Sequence, residues 1–152
     1  MKRPSITLLA CLVAACGGGG ASPGAPPTTV SPQVAGQYAV AVRLLDNDCA
    51  AAPITQPQPT SVDHVPGASA FSLMHGGLRV TGSVDRDGAF STQPLGVTDT
   101  LGPAVLTLDG RFTTSGLEAI VTVDVSPAAP AAACRYRVEW TGAKQGPPNV
   151  LG

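Results

Sequence analysis

The chain has 152 residues, a length that favours a single domain. Nine basic residues against ten acidic ones give a formal charge of −1 and a pI near 6.0, which argues against a strongly basic nucleic-acid binder. Charged residues make up only 12%, and 18 glycines with 15 prolines leave few helix-length runs without a breaker.

Lys2 and Arg3 form a positive start, and Ser5 to Ala15 is an uncharged, mostly apolar run of eleven residues. That is the length of a signal-peptide core, well short of the ~20 residues needed to span a bilayer. The run ends in Val13-Ala14-Ala15-Cys16: an aliphatic residue, two small residues, then cysteine. This resembles the lipobox of bacterial lipoproteins. The resemblance covers only this segment; no family is identified for the domain that follows. It implies that residues 1–15 are a signal peptide, that the Cys16 thiol takes a diacylglyceryl group, and that cleavage before Cys16 frees an amino group for acylation. An alternative box, Leu8-Leu9-Ala10-Cys11, leaves too short an apolar run before it. One acyl chain holds a protein weakly to a membrane and two or more hold it stably. Gly17, rather than an aspartate, follows the cysteine; by the same resemblance this implies the outer membrane of a Gram-negative envelope.

Residues 16–33 continue as GGGGASPGAPPTTVSPQ after the cysteine, with no charge and one large apolar residue, Val30. Such a segment buries too little to offset the entropy of ordering it. It is expected to be a tether, flexible in its Gly run and extended in its Pro-rich part. Residues 34–143 are expected to form a β-domain, and residues 144–152 (KQGPPNVLG) a frayed tail.

Within the domain, apolar residues recur with period two. Tyr38, Val40, Val42 and Leu44 share a face. So do Phe71, Leu73 and His75; Leu78, Val80 and Val84; Leu106, Leu108 and Phe112; Leu117, Ala119, Val121, Val123 and Val125; and Cys134, Tyr136, Val138 and Trp140. This is the pattern of antiparallel strands with one wet face. Gly76-Gly77, Asp85-Arg86-Asp87-Gly88 and Thr114-Ser115-Gly116 are turn sequences. Leu95–Asp99 is predicted as one further short strand, and Asn47–Ala68 as a long Pro-rich loop.

Of the four cysteines, Cys11 leaves with the signal peptide and Cys16 is the lipid acceptor, which leaves Cys49 and Cys134. In the oxidising envelope implied by the lipobox, this pair is expected to be a disulfide. Cys49 follows the first strand and Cys134 begins the last. The two ends meet in an up-and-down meander only if the strand count is even; an odd count would separate them by roughly 20 Å. The predicted fold is therefore all-β: a small antiparallel up-and-down barrel of about eight strands, with Leu95–Asp99 as the eighth and a β-sandwich as the alternative.

No catalytic constellation emerges. The only histidines, His64 and His75, read as a loop residue and a hairpin-end residue rather than a metal pair. Asp85-x-Asp87-Gly88 lacks the distal acid of a calcium loop, and Asp46-Asn47-Asp48 reads as a solvated turn. Neither a nucleophile elbow nor a phosphate-cradling glycine motif is present. Arg135 and Arg137 share the wet face of the last strand and are expected to pair with acids such as Asp124 or Glu118. Tyr136 and Trp140 either fill the core or line a ligand cavity. The expectation is thus a non-enzymatic envelope lipoprotein with no catalytic residue, metal or cofactor. Its domain would bind a partner or be structural. Its expected partners are the membrane, through the anchor, and an envelope protein or a small apolar ligand. Two alternatives are a lipocalin-like carrier, by analogy of fold alone, and an inhibitor of a cell-wall-degrading enzyme. Loss of Lys2 and Arg3 with the leader leaves seven basic residues against ten acidic ones, a net charge of −3 that gives no reason to expect nucleic acid.

Overall fold

A computed structural model describes residues 31–50, 56–130 and 132–152. These form nine antiparallel strands: β1 (Gly36–Asn47), β2 (Pro59–His64), β3 (Ala70–His75), β4 (Leu78–Val84), β5 (Ala89–Thr92), β6 (Leu95–Asp99), β7 (Gly102–Thr113), β8 (Gly116–Val125) and β9 (Cys134–Gln145). Each strand pairs with its neighbour in sequence, except that β5 pairs with β7 and β9 returns to β1. The result is a closed eight-stranded barrel with β6 outside the ring.

The period-two residues drive this closure. Val40, Leu73, Val80, Leu108, Val121, Val138 and their companions all point inward and are buried. Closure gives every strand of the ring a partner on both sides over part of its length, which shortens the exposed edges. Glycines occupy inward positions including Gly82 and Gly110, and a Cβ at either of these would lie 2.2 Å from a neighbouring backbone oxygen. Phe71 lies opposite Gly82 and Phe90 opposite Gly110. The aromatic rings cover the space the glycines leave where the wall curls most tightly.

Three expectations need correction. The stretch Asn47–Ala68 is not one long loop: Asn47 ends β1, and Pro59–His64 is β2. Leu95–Asp99 is a strand, but not the eighth of the ring. It pairs with the upper part of β7 (Leu106 to Gly102), whereas β5 takes the lower part (Arg111 to Asp109). Gln93-Pro94 interrupts what would otherwise be one strand, because proline has no amide to give the ladder. There the Thr92 hydroxyl accepts from the Leu108 amide at 2.8 Å. The even count survives because β2 supplies the missing member. Finally, residues 144–152 are not frayed. Lys144 and Gln145 belong to β9, Val150 bridges to Gln33, and Asn149 is only 4% exposed.

Candidate functional site

The barrel has two unlike poles. At the first lie the turns at 65–69, 85–88 and 113–116, together with residues 31–36 and 146–152. Here the interior is filled. Phe112 packs against Phe90, Phe71 and Tyr38 at centroid distances of 4.7, 5.6 and 6.0 Å. Asn149 closes this pole from the tail: its side-chain amide donates to Thr113 O (2.7 Å) and Gly116 O (3.1 Å). Its Oδ1 accepts from Lys144 Nζ and from the Tyr38 hydroxyl, which also lies 2.6 Å from Val34 O. Burial pushes the Tyr38 phenol up to about 12, against a smaller opposing effect of Asn149, and pushes the Lys144 ammonium below its ordinary value.

At the opposite pole the wall is uneven. β1, β7 and β9 have 12 residues and β8 has 10, whereas β2 to β5 have between 4 and 7. The long strands rise above the short ones and leave a cup of about 160 Å³. Its lining is mostly aliphatic (Val42, Leu78, Leu106, Val121, Val123, Val138), with Trp140, Tyr136, His75 and Gln56. Leu44 and Leu78, both partly exposed, extend the apolar surface at this end.

Two polar pairs mark the cup. The first is His75 with Thr60. His75 ends β3, ahead of the Gly76-Gly77 turn, where φ values of 54° and 93° favour glycine. Its ring stacks on Trp140 at 4.0 Å, and Nδ1 lies 2.7 Å from Thr60 Oγ1. Thr60 Oγ1 also donates to Gln58 O at 3.2 Å. A hydroxyl has one proton and a carbonyl has none to give. Both contacts are satisfied only if His75 Nδ1–H donates to Thr60, which leaves Nε2 as the unprotonated nitrogen. Burial lowers the His75 pKa, so the ring is neutral near neutral pH.

The second pair is Tyr136 with Asp99. The Tyr136 hydroxyl donates to Asp99 Oδ2 at 2.6 Å, a bond from β9 to β6 across the top of the cup. Burial, then Asp99 itself, raise the Tyr136 pKa above its ordinary value. For Asp99, burial acts upward, but hydrogen bonds from Tyr136, the Leu101 amide and Thr100 outweigh it and hold the carboxyl below the usual range. β6, outside the ring, thus serves to carry Asp99 to Tyr136.

Cys49 and Cys134 form a disulfide at this same pole, with Cα atoms 5.1 Å apart, closing a loop of 85 residues. Cys16 lies outside the described residues. His64, expected in a loop, instead ends β2 near the closed pole. Its Nε2–H donates to Ala68 O at 2.9 Å, and its buried Nδ1 is unpaired among the described residues. His64 and His75 are therefore at opposite ends of the barrel interior, and no group of three or more potential metal ligands occurs among the described residues. Asp85–Gly88 is the β4–β5 turn, and Asp87 reaches Arg111 at 3.1 Å. Arg135 pairs with Asp124 at 2.6 Å as expected. Arg137 turns instead to Asp46 of β1, at 2.8 Å. Both guanidinium groups are raised in pKa, chiefly by the hydrogen bond to that carboxylate. Tyr136 and Trp140 do both things anticipated of them, being buried and also lining the cup.

A wider hollow of about 530 Å³ lies on the outer wall, among Asp109, Arg111, Glu118, Glu139 and Thr141. Its walls are solvated charged side chains over Gly110 and Ala119. The smaller cup is lined mostly by apolar side chains, and apolar lining is where binding free energy is available. The sequence did not reveal the Thr60–His75 and Tyr136–Asp99 pairs. The period-two spacing of Thr60, Val62 and His64 was the available signal for the first.

No protein-family model matches this chain, and neither the curated proteins nor the solved structures contain a match to it.

Proposed function

We propose that this protein is a lipid-anchored cell-envelope protein of the outer membrane whose β-barrel is a non-catalytic binding module. The observation that carries this reading is the lipobox-like Val13-Ala14-Ala15-Cys16, ahead of a barrel with a cup at one pole. Residues 31–36 join the barrel at its filled pole, where Gln33 bridges to Val150. A lipid on Cys16 would thus attach through the filled pole, the end of the barrel away from the cup. The disulfide, which belongs to an oxidising compartment, supports a location in the envelope.

The size of the cup narrows what such a module holds. Ligand pockets for drug-sized molecules span about 300–1,000 Å³. At about 160 Å³, with the remaining interior taken by Phe71, Phe90 and Phe112, this barrel suits something smaller than a fatty chain or a lipocalin's usual cargo.

The test is the intact mass of the protein extracted from its native membrane, before and after reduction. A chain beginning at Cys16, carrying diacylglyceryl and acyl mass and gaining two hydrogens on reduction, is the expected result. Cys16→Ala should release the protein from the membrane fraction. An unlipidated mature chain would overturn the anchoring reading.

A further inference from the structure

The geometry points to the cup as a binding site for a neutral, single-ring aromatic molecule that carries one O–H or N–H donor, its ring among Trp140, Val121 and Val138 and its donor on His75 Nε2. This deepens the reading of the domain as a binding module and rests on it.

Size comes first. A protein cavity of about 150 Å³ lined by aliphatic and aromatic side chains accepts benzene, and the cup holds about 160 Å³. Its surface matches a flat ring, because Trp140 and Tyr136 present aromatic surface and the valines complete the wall. Charge comes next. Among the described residues no charged side chain lines the cup, and Asp99 above it already accepts from Tyr136, Leu101 and Thr100. A charged ligand would lose its hydration without a counter-charge.

The last requirement is the donor. His75 Nδ1 is committed to Thr60, while Nε2 makes no hydrogen bond among the described residues. His75 is itself part of the lining of the cup. With Nδ1 carrying the proton, Nε2 can only accept. A ligand with a hydroxyl or ring N–H satisfies it; a plain hydrocarbon leaves it unmatched.

Trp140 is the only tryptophan, so its emission reports on the cup directly. The purified full chain is titrated with phenol and with toluene, with excitation beyond the probes' absorption. Saturable changes in Trp140 emission are expected with both, and phenol should bind roughly threefold to tenfold more tightly, the increment of one hydrogen bond. His75→Phe keeps a ring beside Trp140 but removes the acceptor, and should erase the preference for phenol. Val123→Phe fills the cup and should abolish both responses. Should that variant fail to fold, displacement of phenol by toluene in the wild type tests for a shared site. No saturable response up to the solubility of the probes would overturn the proposal, as would a phenol preference that survives His75→Phe. Tighter binding of a tyrosine-containing tripeptide than of phenol would overturn the assignment to a free small molecule in favour of a peptide anchor. None of these results depends on whether Cys16 is lipidated, so this proposal and the anchoring one fail separately.

Discussion

The two poles are built from the same strands yet reach order by different means. The filled pole is packed solid, with Phe112 fully buried among three rings and the hydrogen bonds of Asn149 capping the cluster. The cup pole leaves interior volume unfilled and is held instead by directional bonds, namely the Cys49–Cys134 disulfide and the Tyr136–Asp99 and His75–Thr60 pairs. Close packing tolerates no void, so a barrel that keeps one must support that end by other means. Substitutions in the packed cluster of the filled pole should therefore reduce stability most, whereas changes to the side chains lining the cup should alter binding and pH response more than stability; the disulfide, acting on the unfolded chain, stands apart.

Phe112→Ala should have the largest effect, about 3–5 kcal/mol in denaturant unfolding, because a rigid aromatic cluster cannot collapse around the gap. A smaller loss than from any change at the cup would break the contrast. Replacing both Cys49 and Cys134 with alanine should cost about 2–4 kcal/mol, with the barrel still folded, since the bridge acts mainly on the unfolded chain. Backbone amide exchange should then quicken at the ends of β1 and β9 near Asn47 and Cys134 before it quickens near Tyr38.

Asn149→Ala comes next. It strips partners from the buried Thr113 and Gly116 carbonyls and from Tyr38, and should cost about 2 kcal/mol. An unchanged midpoint would mean that the tail is dispensable. Tyr136→Phe should cost about 1 kcal/mol and return the Asp99 carboxyl towards its usual range, measurable by carbon-detected NMR titration.

The pH response should be the subtlest distinction. The folded-state pKa of His75 lies below its ordinary 6.5, so the unfolded chain binds the extra proton first. The contribution of His75 is full above about pH 6.5 and declines as pH falls from there towards its folded value. Asp99 acts in the same direction at lower pH: its contribution is present above the ordinary carboxylate range and is lost as pH drops through its depressed value. In His75→Phe the first decline should vanish and the second remain. Acid quenching of Trp140 by protonated His75 should vanish with the first.

The sequence showed the parts of the fold whose reasons are local. Alternation marked β1, β4, β7, β8 and β9 because their inward residues are plainly apolar. The cysteine pair led to closure because strand parity is a matter of topology rather than contact. β2 escaped notice because two of its three inward residues, Thr60 and His64, are polar, and what makes their burial acceptable, His75 and Ala68 O, lies on other segments. The tail escaped for the same reason. Pro147-Pro148-Asn149 reads as a loop until the partners of Asn149 on β1 and at the β7–β8 turn are known. The cup itself has no sequence signature, since it arises from the difference in height between two sets of strands.

The junction of residues 31–35 with β1 also has a mechanical consequence. A pull along residues before Ser31 reaches the barrel through β1, which lies between β2 and β9 and pairs with β9 from Gln37 to Asn47. Tension directed along that strand loads its hydrogen bonds together, in shear, rather than one after another as in peeling. The Gln33–Val150 bridge takes up load first and can give way without opening the ring. A barrel pulled from its N-terminal side would thus yield at the terminal bridge while the cup, at the far end of the same strand, kept its shape.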